Sequence, residues 1–299
     1  MDPEINPLGA GASESRGSSP SAWGPAAGGQ QGAASDMPLD AAAVHDTRAD
    51  RIQRFASIDE VLAWTRQAGN ENKDFTVFTD TKGQDFCLVV HPLLVAPDRY
   101  SLSPDINHLS RRFYKIESLR AEISVDLARN LLLYEANTSG ALVDWIKGRD
   151  VLLIGTYGNL KELKFLRSAL PGMRAVHIIE KDLPFVQDML VEAKAEPSVW
   201  ERPLLITRGD LFAGRHDPKY GLIFCNNVLV NEVVGQERLA EAFSMVHESL
   251  VPGGFFLGNS EIPGVQLGSL AAQFETQFRG LGPREGWGGL WNFSMLRKR

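Results

Sequence analysis

The chain is poor in the features that mark several protein classes. It has only two cysteines in 299 residues, Cys87 and Cys225, and both sit inside apolar runs. Two such thiols make no disulfide framework and read as reduced core residues of a chain kept in a reducing, cytoplasmic compartment. There is no HExxH and no CxxC, and the six histidines are scattered, so no metal site is expected. Positive charge is not in excess: the net charge is −6, which argues against a general nucleic-acid binder. No apolar run reaches the roughly 18 residues of a membrane span. The start of the chain lacks a basic segment followed by an apolar one, so it is no Sec signal peptide.

What is present divides by composition. Residues 1–50 are rich in Gly, Ala, Ser and Pro and bury too little apolar surface to offset chain entropy. They read as a disordered tail. Such polar, small-residue starts also occur on proteins exported by bacterial injection systems. Order should begin near 57, where Ser57 and Glu60 fit a capping box ahead of Val61, Leu62 and Trp64. DFTVFT (74–79) and DFCLVVHPLLV (85–95) read as a β-hairpin, with Pro92 ending the second strand early or placing it at an edge. Residues 51–109 thus form a small α+β region without a readable chemistry. Helical spacing of Phe113, Ile116, Ile123, Leu127, Leu131 and Tyr134 predicts an amphipathic helix over 110–136. A second helix carries Leu142, Trp145 and Ile146, with Thr138 or Ser139 as cap and Gly148 as stop.

From 150 the pattern alternates strand and helix. Strands are expected near 150–155, 174–180, 203–208, 220–226 and 254–259, as near-continuous apolar runs suited to a parallel sheet covered on both faces. A helix is expected over 236–250. The end reads as a helix through Leu270 and Phe274, a Gly-rich turn, and LWNFSML (290–296) as the last strand of a closing hairpin.

The chemistry lies at the strand ends. VLLIGTYGN (151–159) is a strand breaking into a turn, where Gly155, Thr156 and Gly158 would let backbone approach a ligand. The helix starting near Leu160 would aim its N–H groups at the same place. Glu180 follows 25 residues after Gly155, at the end of VHIIE. An ionised carboxylate there can accept from both ribose hydroxyls. Asp210 ends the third strand, with Leu211 beside it in the same candidate site, and can accept from an adenine amino group. The bland alternatives are an exposed acid for Glu180 and the cap of a turn at 211–213 for Asp210. Asn226 and Asn227 end the fourth strand, and with Ser260 they are candidates to orient an acceptor or to hold cofactor. The two asparagines also suit a core or capping role.

A dinucleotide fold would place G-x-G-x-x-G after the first strand. Here Tyr157 stands at the middle glycine and crowds a pyrophosphate. S-adenosylmethionine (SAM) has no pyrophosphate and tolerates a looser turn. With the Pro252-Gly253-Gly254 turn, this combination resembles the class I SAM-dependent methyltransferase superfamily over roughly 140–299. The resemblance implies a Rossmann-like seven-stranded α/β sheet with an antiparallel last strand, in a domain taken as 110–299 with its helical lead-in. IFCNNVLV with GGFFLGNSE is similar to the chemotaxis-receptor glutamate methyltransferases (F-C-R-N-V-L-I-Y, then G-G-x-x-x-L-G-H-S-E). EKDLP, RGD and IFCNN look like the non-SET histone-lysine methyltransferases (E-K-x-D-I-P, R-G-D, I-F-V-N-N).

There are departures. The acid usual two residues before the first glycine is Leu153, which removes one expected partner of SAM's amino group. The third glycine of the turn is Asn159. Against the chemotaxis pattern, Asn226 replaces Arg and Asn231 replaces Tyr. The resemblance implies SAM as cofactor and a methyl acceptor, a protein side chain on these local matches. Two other readings stand beside it. One is a degenerate member that binds without turnover. The other is small-molecule methylation, or another SAM-using transfer such as that of an aminocarboxypropyl group.

Overall fold

The computed structural model describes residues 52–80, 83, 85–91, 141–156, 158–210, 219–226, 228, 236–259, 272–283 and 290–299. All lie in one unit, Pro38–Arg299. The tail at 1–50, the helix expected over 110–136, Leu211, Asn227, Asn231 and Ser260 fall outside the described residues.

The short elements at the start arise from local signals. Strand β1 (Ile52–Phe55) precedes helix α1 (Ile58–Thr65). Ser57 Oγ accepts the Glu60 N–H at 3.3 Å, while Glu60 Oε2 accepts from the Ala56 N–H at 3.0 Å. The reciprocal pair is therefore a capping box whose return bond lands one residue early. Strands β2 (Asp74–Thr79) and β3 (Phe86–His91) form the expected hairpin, and β3 stops at His91, immediately before Pro92. Strand β1, before the expected onset of order, pairs antiparallel with β3.

The second half alternates as expected. Helix α2 (Ala141–Ile146) leads into β4 (Asp150–Ile154), whose five residues are all buried. Helix α3 (Lys161–Ala169), β5 (Val176–Glu180), α4 (Leu183–Ala195) and β6 (Leu204–Arg208) follow. Then come β7 (Tyr220–Asn226), α5 (Gln236–Ser249) and β8 (Leu250–Asn259). Helix α4 buries Phe185, Val186, Met189, Leu190 and Ala193, a single stripe at helical spacing.

One sheet collects every strand, in the order β1-β3-β2-β6-β5-β4-β7-β8, then β10 (Leu290–Lys298) and β9 (Phe274–Pro283). Strands β6, β5, β4, β7 and β8 are mutually parallel. Strand β10 runs antiparallel to β8 and to β9, so the last strand is inserted between the fifth and sixth of the seven. A dinucleotide fold would order its six parallel strands 3-2-1-4-5-6 with no such insertion. The seven-stranded sheet with an antiparallel last strand is thus present, and β1 with the β2–β3 hairpin adds three strands through the antiparallel β2–β6 pair.

Two layers of core cover the sheet. Helices α1 to α4 close one face around Phe75, Leu153, Leu163, Met189 and Phe224. Helix α5 closes part of the other around Leu152, Ile223, Phe243 and Phe256. Cys87 and Cys225 are free and buried. Among the described residues no helix is long and apolar enough to cross a membrane.

Two expectations are corrected. Phe274 begins strand β9 instead of lying in a helix; Leu270 is outside the described residues. The 270/274 spacing suits a helix, but burial alternates from Gln273 to Glu275, with Phe274 alone turned into the core beside His247. The Pro-Gly-Gly segment lies inside β8, which starts at Leu250. Tyr220 pairs with Leu250 and Leu222 with Phe255, so Val251–Gly254 bulges out of the ladder. Gly253 takes φ 75° there, with Trp145 packed against it.

Candidate functional site

Parallel strands with alternating helices bring their carboxyl ends to one edge of the sheet. In strand order the residues gathered there are Asp210, Glu180, Gly155 and Asn226. The chain leaves β4 toward β5 on one side and returns as β7 on the other, so the Gly155 turn stands at the topological switch point.

Both turn glycines are required by protein packing. Gly155 has φ 65°, and a Cβ there would lie 2.2 Å from Cγ2 of Val228. Its N–H donates to Ile179 O at 2.9 Å, tying the turn to β5. Gly158 has φ 77°, and its Cβ would meet Cα and Cδ1 of Phe185, both at 3.1 Å. Thr156 is buried, and its hydroxyl donates to Met189 Sδ at 2.8 Å, so this side chain faces α4.

Asn159, the departure from the glycine pattern, closes the turn. Its Nδ2 donates to Thr156 O at 2.8 Å, and its Oδ1 accepts from Lys161 N at 3.0 Å. A glycine can make neither bond. Glu192 of α4 completes the start of α3 by accepting from Leu160 N at 2.9 Å. Its other oxygen holds Lys164 Nζ at 2.8 Å, and Lys164 also reaches Glu196 at 2.6 Å. These bonds raise the Lys164 ammonium above its ordinary pKa. The N–H groups expected to face a ligand at this helix start are therefore partly taken by side chains. A carboxylate beside them also disfavours a pyrophosphate.

The two acids occupy adjacent strand ends. Glu180 is buried, and its Oε1 accepts from the N–H of Asp182 at 3.2 Å. Gly209 N donates to Glu180 O at 3.0 Å and holds the β6 end against it. Asp210 follows on the other side of Gly209, with Oδ2 3.6 Å from Lys181 Nζ. Asn226 ends β7 opposite Asn259 of β8. Glu180 and Asp210 thus come together beside the Gly155 turn, and Asn226 reaches the same edge from the far side of β4. Leu153 is 1% exposed within the core.

Three contributors were not read from the sequence. Val228 over Gly155 has no local signal. Lys181 stands next to Glu180, yet its partner comes from another strand. Asp74 belongs to the hairpin and reaches this edge only because β2 pairs with β6. Asn159 did carry a signal, since Asn ahead of a helix is a capping residue.

No protein-family model matches the chain, and no curated protein does. Solved structures with a similar fold include the N-methyltransferase NodS from Bradyrhizobium japonicum, 13% identical at TM-score 0.42, matching 55% of this chain and 96% of that one. TrmN from Thermus thermophilus is 20% identical at TM-score 0.43, over 73% of this chain and 57% of its own. A SAM-dependent O-methyltransferase from Thermotoga maritima is 13% identical at TM-score 0.38, over 74% and 77%. This chain's fold is defined by its own strand order and directions. They match the seven-stranded sheet with an antiparallel last strand that the resemblance implies, extended at the N-terminal side by β1 and the β2–β3 hairpin.

Proposed function

We propose that the chain is a SAM-dependent methyltransferase. The observation that carries this reading is the placement of Glu180 at the end of β5 and of Asp210 just past the end of its neighbour β6, beside the Gly155 turn. Glu180 would accept from the ribose hydroxyls and Asp210 from the adenine amino group, each carboxylate offering acceptors only. The Gly155–Gly158 turn would flank the nucleoside, and Asn226 and Asn227 are the residues proposed to orient the acceptor. A bound SAM supplies an activated methyl group, and the protein's task is to hold an acceptor in line with it. The acceptor we favour is a protein side chain, on the strength of EKDLP, RGD and IFCNN.

Titration with S-adenosylhomocysteine (SAH) tests the cofactor site. Asp210→Ala and Glu180→Ala should each weaken binding by roughly tenfold or more, as expected for bonds to charged acceptors. Binding unchanged in both variants refutes the assigned roles.

Binding without turnover is favoured by one observation, the buried Leu153 where an acid is usual. Transfer of labelled methyl from SAM to any acceptor rejects that alternative.

A further inference from the structure

The hairpin that extends the sheet brings a charge to the candidate site. Strand β2 runs antiparallel to β6 with Phe75 opposite Arg208. Asp74, one residue earlier, is therefore level with Gly209 and next to Asp210, at the carboxyl edge of the parallel strands. The junction is fastened: Arg208 Nη1 donates to Lys73 O at 2.6 Å. Lys181 Nζ reaches Asp210 at 3.6 Å and also interacts electrostatically with Asp74. The Lys181 ammonium thus lies in the field of two carboxylates, Asp210 at the end of the parallel strands and Asp74 of the added hairpin, and it contacts the first.

The geometry points to Asp74 as a positioning residue for the adenine end of the cofactor site, acting through Lys181. This rests on the SAM reading above. Asp210 has to accept from the adenine amino group while Lys181 competes for the same carboxylate. A second carboxylate at Asp74 shares the pull on the ammonium and weakens its hold on Asp210, whose carboxylate then accepts more strongly from the base. Without that charge, Lys181 closes fully on Asp210 and the amino group loses an acceptor.

The electrostatics agree. Burial pushes the Asp74 carboxyl above its ordinary pKa, Asp210 pushes it further, and Arg208 and Lys181 pull it back. The ionised carboxylate is thus held at some cost to folding, which is understandable if it serves a ligand. A folded pKa above the unfolded one means stability falls as pH rises through that interval. Asp74→Asn removes the loss, so it should melt no lower than wild type at neutral pH.

The test is a double-mutant cycle on SAH binding, with S-inosylhomocysteine, which carries oxygen in place of the adenine amino group, as second probe. D74N should weaken SAH by roughly three- to tenfold, the coupling expected of neighbouring charges. It should leave the inosyl analogue unchanged. In a Lys181→Met background D74N should have no further effect on SAH. Equal SAH binding by wild type and D74N overturns the proposal and leaves the cofactor reading intact. So does an equal loss for both probes, or a D74N penalty that persists in K181M. No SAH binding by wild type overturns the cofactor reading and this proposal together.

Discussion

At the scale of single residues, the turn after β4 is decided by backbone freedom and side-chain bonds. Gly155 combines φ 65° with Val228 at 2.2 Å from where a Cβ would stand. Gly155→Ala should therefore cost about 2–5 kcal/mol, from the left-handed backbone and overpacking together, read as a lower urea midpoint. Gly69, also at positive φ, has nothing within 4 Å of a Cβ, so Gly69→Ala meets only the backbone strain and should cost less. A second residue, His247, governs part of the acid limb. Its ring lies edge-on to Phe274, with centroids 5.2 Å apart. Burial, then the Lys298 charge, hold its pKa below 6.5, against a smaller opposing effect of Glu248. The unfolded chain then binds the proton more readily, so this contribution is complete above pH 6.5 and is lost as pH falls through the lowered folded value. His247→Gln should flatten the fall in unfolding free energy between pH 7 and 5. The same fall in wild type and variant contradicts the assignment. Glu180 and Asp210 stand out as candidates in the sequence because acids at strand ends are visible locally. Val228 does not, because its role exists only after the return of β7 beside β4.

At the scale of elements, the hairpin is held to the sheet by more than backbone pairing. Tyr220 Oη lies 2.6 Å from His177 Nδ1, and His177 Nε2 lies 2.7 Å from Thr207 Oγ1. Thr207 Oγ1 is 2.6 Å from Thr76 Oγ1, which is 2.7 Å from His91 Nε2. Five side chains from β7, β5, β6, β2 and β3 form an unbroken polar line over one face. Each hydroxyl can donate to one neighbour and accept from another. Thr76→Val cuts the line at a buried point and leaves Thr207 short of a partner. It should cost about 1–3 kcal/mol in urea unfolding with an unchanged slope, and Thr76→Ser should keep most of that stability. A valine variant as stable as wild type would assign the docking of β2 to its ladder and apolar contacts alone. DFTVFT was legible as a strand because its apolar pattern is local. Its partner β6 lies more than a hundred residues further on, and nothing in either strand names the pairing. The misread end of the chain has a similar cause. An interval of four residues between Leu270 and Phe274 suits a helix, while the cross-strand partners that select a strand come from β10.

At the scale of the whole molecule, the arrangement of strands makes the site. Asp210, Glu180 and Gly155 are separated in sequence, and parallel pairing of β6, β5 and β4 brings them into a row. The alternation of strands and helices after 150 is readable because the parallel strands are near-continuous apolar runs that break at Gly, Pro, Asn or an acid. The antiparallel last strand was available only through a resemblance, and its placement between β8 and β9 comes from the structure alone, since a closing hairpin has no local feature that fixes which edge it joins. Under the proposed function this edge binds an adenine nucleoside carrying a methionine-derived tail, with Glu180 and Asp210 as its anchors. Calorimetric titration of the full chain with SAH tests it most directly. Saturable binding at one site per chain is expected, weakened by Asp210→Ala and by Glu180→Ala. Absence of binding in the wild-type protein, or affinity indifferent to both substitutions, would contradict it.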